Sequence, residues 1–157
     1  MISRETIYAA LFALVSQGEG MAGTISWGAR ETLAYTSRRV RLWTDIPAQP
    51  ALCQAEHDET VVQQTRLPFR RKFGASWLIY HADGADPNAT PASSNNAILD
   101  AIEALFTPQP PDPGWNDNRL TLGGLVHHCW IDGRILKDPG DLDSQALIVV
   151  PISILAP

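Results

Sequence analysis

Cysteine is nearly missing from this chain: Cys53 and Cys129 are the only two in 157 residues. Two are too few for a disulfide framework. Free cysteine most often ends as a buried thiol, which is the expectation for both. No apolar run approaches the roughly 20 residues that a membrane-spanning helix needs. The cluster at 7–15 is short and carries Tyr8. The opening Met1-Ile2-Ser3-Arg4-Glu5 lacks the basic region and long apolar run of a secretory signal. These absences predict a protein made and used in a cytoplasm. Basic charge is scarce too: 12 Lys and Arg stand against 17 Asp and Glu, for a formal net charge of −5. That argues against a dedicated nucleic-acid binder, which carries a basic excess. An acidic surface repels phosphate and lets DNA pass without sticking.

Motifs for chemistry are also lacking. Glycines 18, 20, 23 and 28 follow no clear strand, and Gly123-Gly124 precedes a strand rather than a helix, so neither set forms a phosphate cradle. His127-His128-Cys129 is the one cluster of metal-ligand type. On a strand His127 and Cys129 share a face and His128 points away. A zinc site takes three or four ligands, and His57 and His81 stand alone. No metal and no cofactor are expected. Cys129 with His127 or His128 is the one nucleophile and base that the sequence sets close together. Trp130, Leu125 and Ile131 surround it, an apolar setting that keeps a thiol protonated. Asp83, Asp86, Asp112, Asp117, Asp138, Asp141 and Asp143 scatter through loops, with no pair set by helix or strand geometry for acid–base work.

What is present is a core-forming pattern, with 45% hydrophobic residues and a length that predicts one domain over 1–157. The segment 145–155 dominates it. Ala146, Ile148, Val150, Ile152 and Ile154 alternate onto one strand face; Leu147, Val149, Pro151, Ser153 and Leu155 take the other. A strand apolar on both faces needs cover on both. Helices of the chain supply one cover and a partner subunit is a candidate for the other.

The remaining elements follow in order. Residues 4–17 predict a helix capped by Ser3, with Ile7, Leu11, Leu14 and Val15 in a stripe widened by Tyr8 and Phe12. Strands are expected at 40–43, 51–56, 69–82 and 124–132. A second helix is expected at 97–106, capped by Asn96, with Ile98, Ile102, Leu105 and Phe106 inward. The proline-rich run at 108–114 reads as a stiff connector. Segments near 18–36, 57–68, 83–95 and 107–119 read as flexible. Of the tryptophans, Trp77 and Trp130 are expected in the core, Trp27 and Trp115 in mobile or interfacial segments. The sum is an α+β fold: a mostly antiparallel sheet with two helices on one face. Ile102→Ala and Ile148→Ala should therefore both destabilise it.

The polar stretch 57–68 is longer than the usual hairpin connection of about 2–5 residues. It predicts a long loop or a hairpin arm that reaches a neighbouring subunit or another partner, with Asp58, Glu59, Val61, Val62, Arg66, Arg70 and Arg71 as contact residues. Opposite charges there would pair between subunits and set register. On this reading, deleting 59–65 leaves a folded subunit. The basic run Arg70-Arg71-Lys72 itself reads as a solvated strand end.

Three stretches carry a resemblance: Arg38-Arg39-Val40-Arg41-Leu42-Trp43-Thr44-Asp45-Ile46-Pro47, Asn96-Ala97-Ile98-Leu99-Asp100-Ala101-Ile102-Glu103-Ala104-Leu105 and Thr121-Leu122-Gly123-Gly124-Leu125-Val126-His127-His128-Cys129-Trp130-Ile131. With the element order, they resemble the tail-terminator (tail-completion) proteins of long-tailed bacteriophages, of the minor tail protein U type. The resemblance implies a hexameric ring without catalytic residues, cofactor or metal. Such a ring stops polymerisation of the tail tube protein and offers a docking surface to the head-completion (stopper) protein, and the arm at 57–68 would reach a neighbouring subunit or the tail tube. Double-stranded DNA passes through its lumen without specific binding. Its place would be the virion, at the head–tail junction, after assembly in the bacterial host cytoplasm. Two alternatives stand beside it: another neck or minor tail protein acting as a head–tail connector, and a small cytosolic enzyme using Cys129 with His127 or His128.

Overall fold

The computed structural model describes residues 2–28, 31–62, 70–82, 88, 90–106 and 119–157. The expectations for Arg66, Trp115, the connector at 108–114 and most of 83–89 fall outside these residues.

Helix α1 spans Arg4–Ala13. Ser3 caps it, its hydroxyl accepting the Thr6 backbone N–H at 3.1 Å. Ile7, Tyr8, Leu11 and Phe12 form its buried face. The helix ends at the Leu14 cap, short of the glycines expected to stop it. Strand β1 is Tyr35–Ser37, and a 3-10 turn follows at Trp43–Asp45. The strand expected at 40–43 is therefore absent, although Leu42 is extended. The real strand lies in the stretch read as flexible. Strand β2 runs Ala51–Val62 and β3 runs Arg70–Ala82. Helix α2 is Pro91–Phe106, and so begins six residues before the expected Ala97, in a segment read as loop. The short strands β4, His128–Ile131, and β5, Leu136–Asp138, precede β6, Gln145–Ala156. Strand β4 starts later than expected because a turn with Leu122, Gly123 and Gly124 at positive φ occupies the residues before it.

The sheet order is β1-β2-β3-β6-β4, with β5 also paired to β6. The β1–β2 pair is parallel; the other pairs are antiparallel. Strand β6 lies between β3 on one side and β4 and β5 on the other. Its expected inner face, Ala146, Ile148, Val150, Ile152 and Ile154, is buried throughout. The same sheet face carries Leu52, Phe73, Ala75, Trp77 and Ile79. Both helices close over it with Ile7, Leu11, Ile98, Leu99 and Ile102 in one cluster. Tyr8 packs edge-on against Phe73, and Phe106 against Trp77. The fold is thus α+β, mostly antiparallel, with its helices on one face.

The opposite face is covered unevenly. Trp43 and Ile46 fold over Tyr35, Cys53, Leu78, Tyr80 and Leu147 in a second, smaller cluster. Farther along the sheet, Val149, Pro151 and Leu155 remain half-buried. Trp130 is here too, half-buried and not in the core as expected. Trp27, expected to be mobile or interfacial, packs against the main core.

Strand β2 extends well beyond its expected end at Glu56. Residues 59–62 pair with Phe73, Lys72, Arg71 and Arg70 after a bulge at 57–58. At that bulge a side chain on Gly74 would bring its Cβ within 2.7 Å of Asp58 Oδ1. Deleting 59–65 would therefore strip the end of the β2–β3 ladder, so the expectation of an intact fold after that deletion is withdrawn. Residues 57–62 are thus a continuation of the β2–β3 hairpin, as the hairpin reading of this stretch expected.

Candidate functional site

The residues singled out in 57–71 divide into two groups. Glu59 receives a two-pronged contact from Arg4, at 2.6 and 2.8 Å. Arg71 lies 3.8 Å from the same carboxylate. Its guanidinium sits 5.4 Å from the Phe73 ring centre and reaches the Ile2 carbonyl at 3.5 Å. Arg71 is buried, which corrects the reading of a solvated strand end at that residue, while Arg70 is exposed and Lys72 half-buried. Beside this cluster Arg38 bridges Glu5 and Glu56. Helix α1 is thereby pinned to β2 by ion pairs. The expected pairing of Glu59 and Arg71 across a subunit boundary gives way to pairing inside the chain. Asp58, Val61 and Arg70 are exposed. Val62 pairs in the ladder opposite Arg70; Arg66 is outside the described residues.

Contact with cations holds three carboxylates below their usual range. Hydrogen bonding to Arg38 does this for Glu5, to Arg4 for Glu59, and to Lys72 and Ser153 for Asp132. A depressed folded-state pKa adds stability that is complete above the unfolded value, about 4. That stability is lost as pH falls through the lower folded value. Acid titration of wild type should therefore show a loss of stability below about pH 4. Glu59→Gln combined with Asp132→Asn should make that loss shallower, as read from urea midpoints across pH. An unchanged slope would mean that these contacts contribute nothing.

The thiol and imidazole candidates are not placed to work together. Cys129 is fully buried on the helix side of the sheet, opposite Ile154. Burial pushes its thiol up to about 12, and burial also raises Cys53. His128 points to the other face, where its ring stacks on Trp130 at 4.9 Å. Its Nδ1 accepts the Leu120 N–H at 3.3 Å. His127 precedes β4 rather than sharing a strand face with Cys129. Among the described residues, no three His, Cys, Asp or Glu side chains converge as metal ligands. His57 Nε2 and Ser76 Oγ lie 2.6 Å apart on the outer face, a contact that the sequence separation concealed. Ser76 is mid-strand, flanked by Ala55 and Pro151, and buried, while His57 is exposed.

Val61, marked from sequence as a contact residue, is exposed; what sequence reading missed is a further set of exposed apolar side chains, Val40, Leu42, Leu136 and Leu142. The outer face also holds a polar patch. Asp132 Oδ2 takes Lys72 Nζ at 2.9 Å and the Ser153 hydroxyl at 2.8 Å, and Lys72 lies over the Trp130 ring at 5.6 Å. Strand β2 is paired by β1 only along 51–53, and a groove of about 430 Å³ follows its edge between Arg38, Val40 and 54–56. The signal for Val40 and Leu42 was present as an alternating pattern, taken for a paired strand. No described helix is long and apolar enough to cross a membrane.

No family model matches this chain, and no curated protein matches it in sequence.

Proposed function

We propose that this protein is a structural assembly subunit: the ring-forming tail terminator of a long-tailed bacteriophage, which caps the tail tube and presents the docking surface for the head-completion protein. The observation that carries the assembly reading is the unevenly covered outer face of the sheet. Val149, Pro151 and Leu155 are half-buried there, and Leu136, paired opposite Val149, stands exposed. Apolar surface gathered at one face and rimmed by charge marks protein–protein contact. The phage assignment rests on the three stretches quoted above. The acidic balance of the chain suits a lumen through which double-stranded DNA slides without binding. On this reading the protein holds no cofactor and works in the virion at the head–tail junction, having assembled in the host cytoplasm.

Negative-stain imaging of the purified protein tests the assembly reading. Closed rings are expected, and monomers at every concentration would overturn it. A phage lacking the protein tests the terminator role. Overlong tails are expected; tails of normal length that fail to join heads would place it among the connector proteins of the neck instead.

A further inference from the structure

The turn between β5 and β6 is built to hold its shape. Its chain reverses at Gly140, φ +76°, where a Cβ would lie 2.7 Å from the Gln145 backbone, so a side chain is excluded. Ser144, at φ 61°, donates its N–H to the Gly140 carbonyl at 2.9 Å. Two aspartates brace the ends: Asp138 Oδ1 accepts the Gly140 N–H and Asp143 Oδ1 accepts the Gln145 N–H, each at 3.0 Å. At the tip stands Leu142, 102% exposed, between exposed Asp141 and Asp143. A loop ordered by its own hydrogen bonds thus holds a leucine out in water, ringed by acid.

A groove of opposite character lies after β1. It measures about 540 Å³ and is lined by Arg39, Val40, Arg41, Leu42 and Asp45. Val40 is 47% and Leu42 73% exposed. Neither Arg39 nor Arg41 has an ion-pair partner among the described residues. Arg41 lies over the Tyr35 ring, 5.8 Å from its centre, with its Nε buried and without a hydrogen-bond partner. Asp45 offsets one arginine and leaves the groove net positive. The turn joins β5 to β6, whereas the groove belongs to the loop after β1, whose Arg41 carbonyl accepts the Tyr80 hydroxyl at 2.9 Å.

We propose that the Asp141-Leu142-Asp143 turn of one copy of this chain docks into the groove at 39–42 of a second copy. Leu142 meets Val40 and Leu42, and Asp141 and Asp143 face Arg39 and Arg41. The two halves are different surfaces of one molecule, so the contact is head-to-tail and each subunit bound leaves a fresh groove and a fresh turn. Such contacts close into rings when the rotation permits. The inference rests on the assembly reading above and names the contact that would carry it.

Leu142→Asp removes the turn and leaves the groove; Leu42→Asp does the reverse. Both positions are exposed, so thermal unfolding should match wild type. Each variant should self-associate roughly tenfold to a hundredfold more weakly than wild type, as expected for losing one buried leucine, read by sedimentation or light scattering. Mixed in equal amounts, they retain one working turn and one working groove, and should give a 1:1 dimer and nothing larger. If either variant fails to fold, Asp141→Arg and Arg39→Asp test the contact by charge exchange: each alone should assemble poorly, and the equal mixture, in which every alternating contact again pairs opposite charges, should recover assembly beyond a dimer, whereas a mixture no better than either variant overturns the contact. Variants that assemble like wild type overturn this contact while leaving the assembly reading intact. Loss of assembly with no dimer on mixing also overturns the contact. Wild type that stays monomeric at every concentration overturns both.

Discussion

Replacing Trp77 with alanine is expected to cost about 3–5 kcal/mol of folding stability, a large part of the roughly 5–15 kcal/mol available to a typical domain. Trp77 is fully buried under the helices, where Phe106 packs against it. Its indole N–H donates to Gln54 Oε1 at 3.0 Å, and Gln54 Nε2 donates in turn to the Tyr8 carbonyl of α1 at 3.1 Å. Alanine therefore opens a cavity and also leaves a buried amide oxygen unpaired, worth about 1–3 kcal/mol by itself. Trp77→Phe keeps most of the volume and isolates the hydrogen bond. Adding Gln54→Leu to Trp77→Phe should recover part of the loss, because both polar partners then disappear together. Urea midpoints of Trp77→Phe, Gln54→Leu and the double variant test this. A double variant as unstable as the sum of the singles would show that the bond is not what couples β2 to β3 here.

Ile102→Ala and Ile148→Ala are each expected to cost about 2–5 kcal/mol. One lies on α2 and the other on β6, both wholly buried in the same cluster. Denaturant midpoints should fall for each, with the slope of the transition unchanged. An unchanged midpoint for Ile102→Ala would mean that α2 does not seal the sheet.

The long strands and the first helix were legible because each repeats its apolar residues at the period its backbone imposes. The alternation from Ala146 to Ile154 and the Ile7–Leu11 stripe are the clearest cases, and both faces are buried as read. The start of α2 was misread because Ser93, Ser94, Asn95 and Asn96 are loop-like by composition. The usable signal was Thr90-Pro91, since proline is favoured at a first helical position. Strand β1 was illegible: three residues hold no period, and parallel pairing to 51–53 is a long-range event. Val40 and Leu42 had the strand pattern without the pairing, which no local pattern can reveal. Among the contact candidates, sequence could mark Glu59 and Arg71 as charged but could not say that Arg4 and a buried setting had claimed them. Leu142 passed unnoticed because a single leucine between two aspartates in a loop carries no periodic signal.

Strand β6 also has a consequence for how the molecule is made. It is the neighbour of β3, β4 and β5, yet in chain order it follows all of them. A ribosome delivers β3 long before the strand that completes its outer side. Until β6 emerges, Trp77, Ile79 and the stripe of α1 have only part of their cover, and the longest strand edge in the nascent chain is open. Non-local pairing of this kind is slow to form and prone to aggregation while it waits. Ribosome pausing before β3 should be harmless, whereas a stall between β3 and β6 would leave an exposed, sticky intermediate for chaperones to hold.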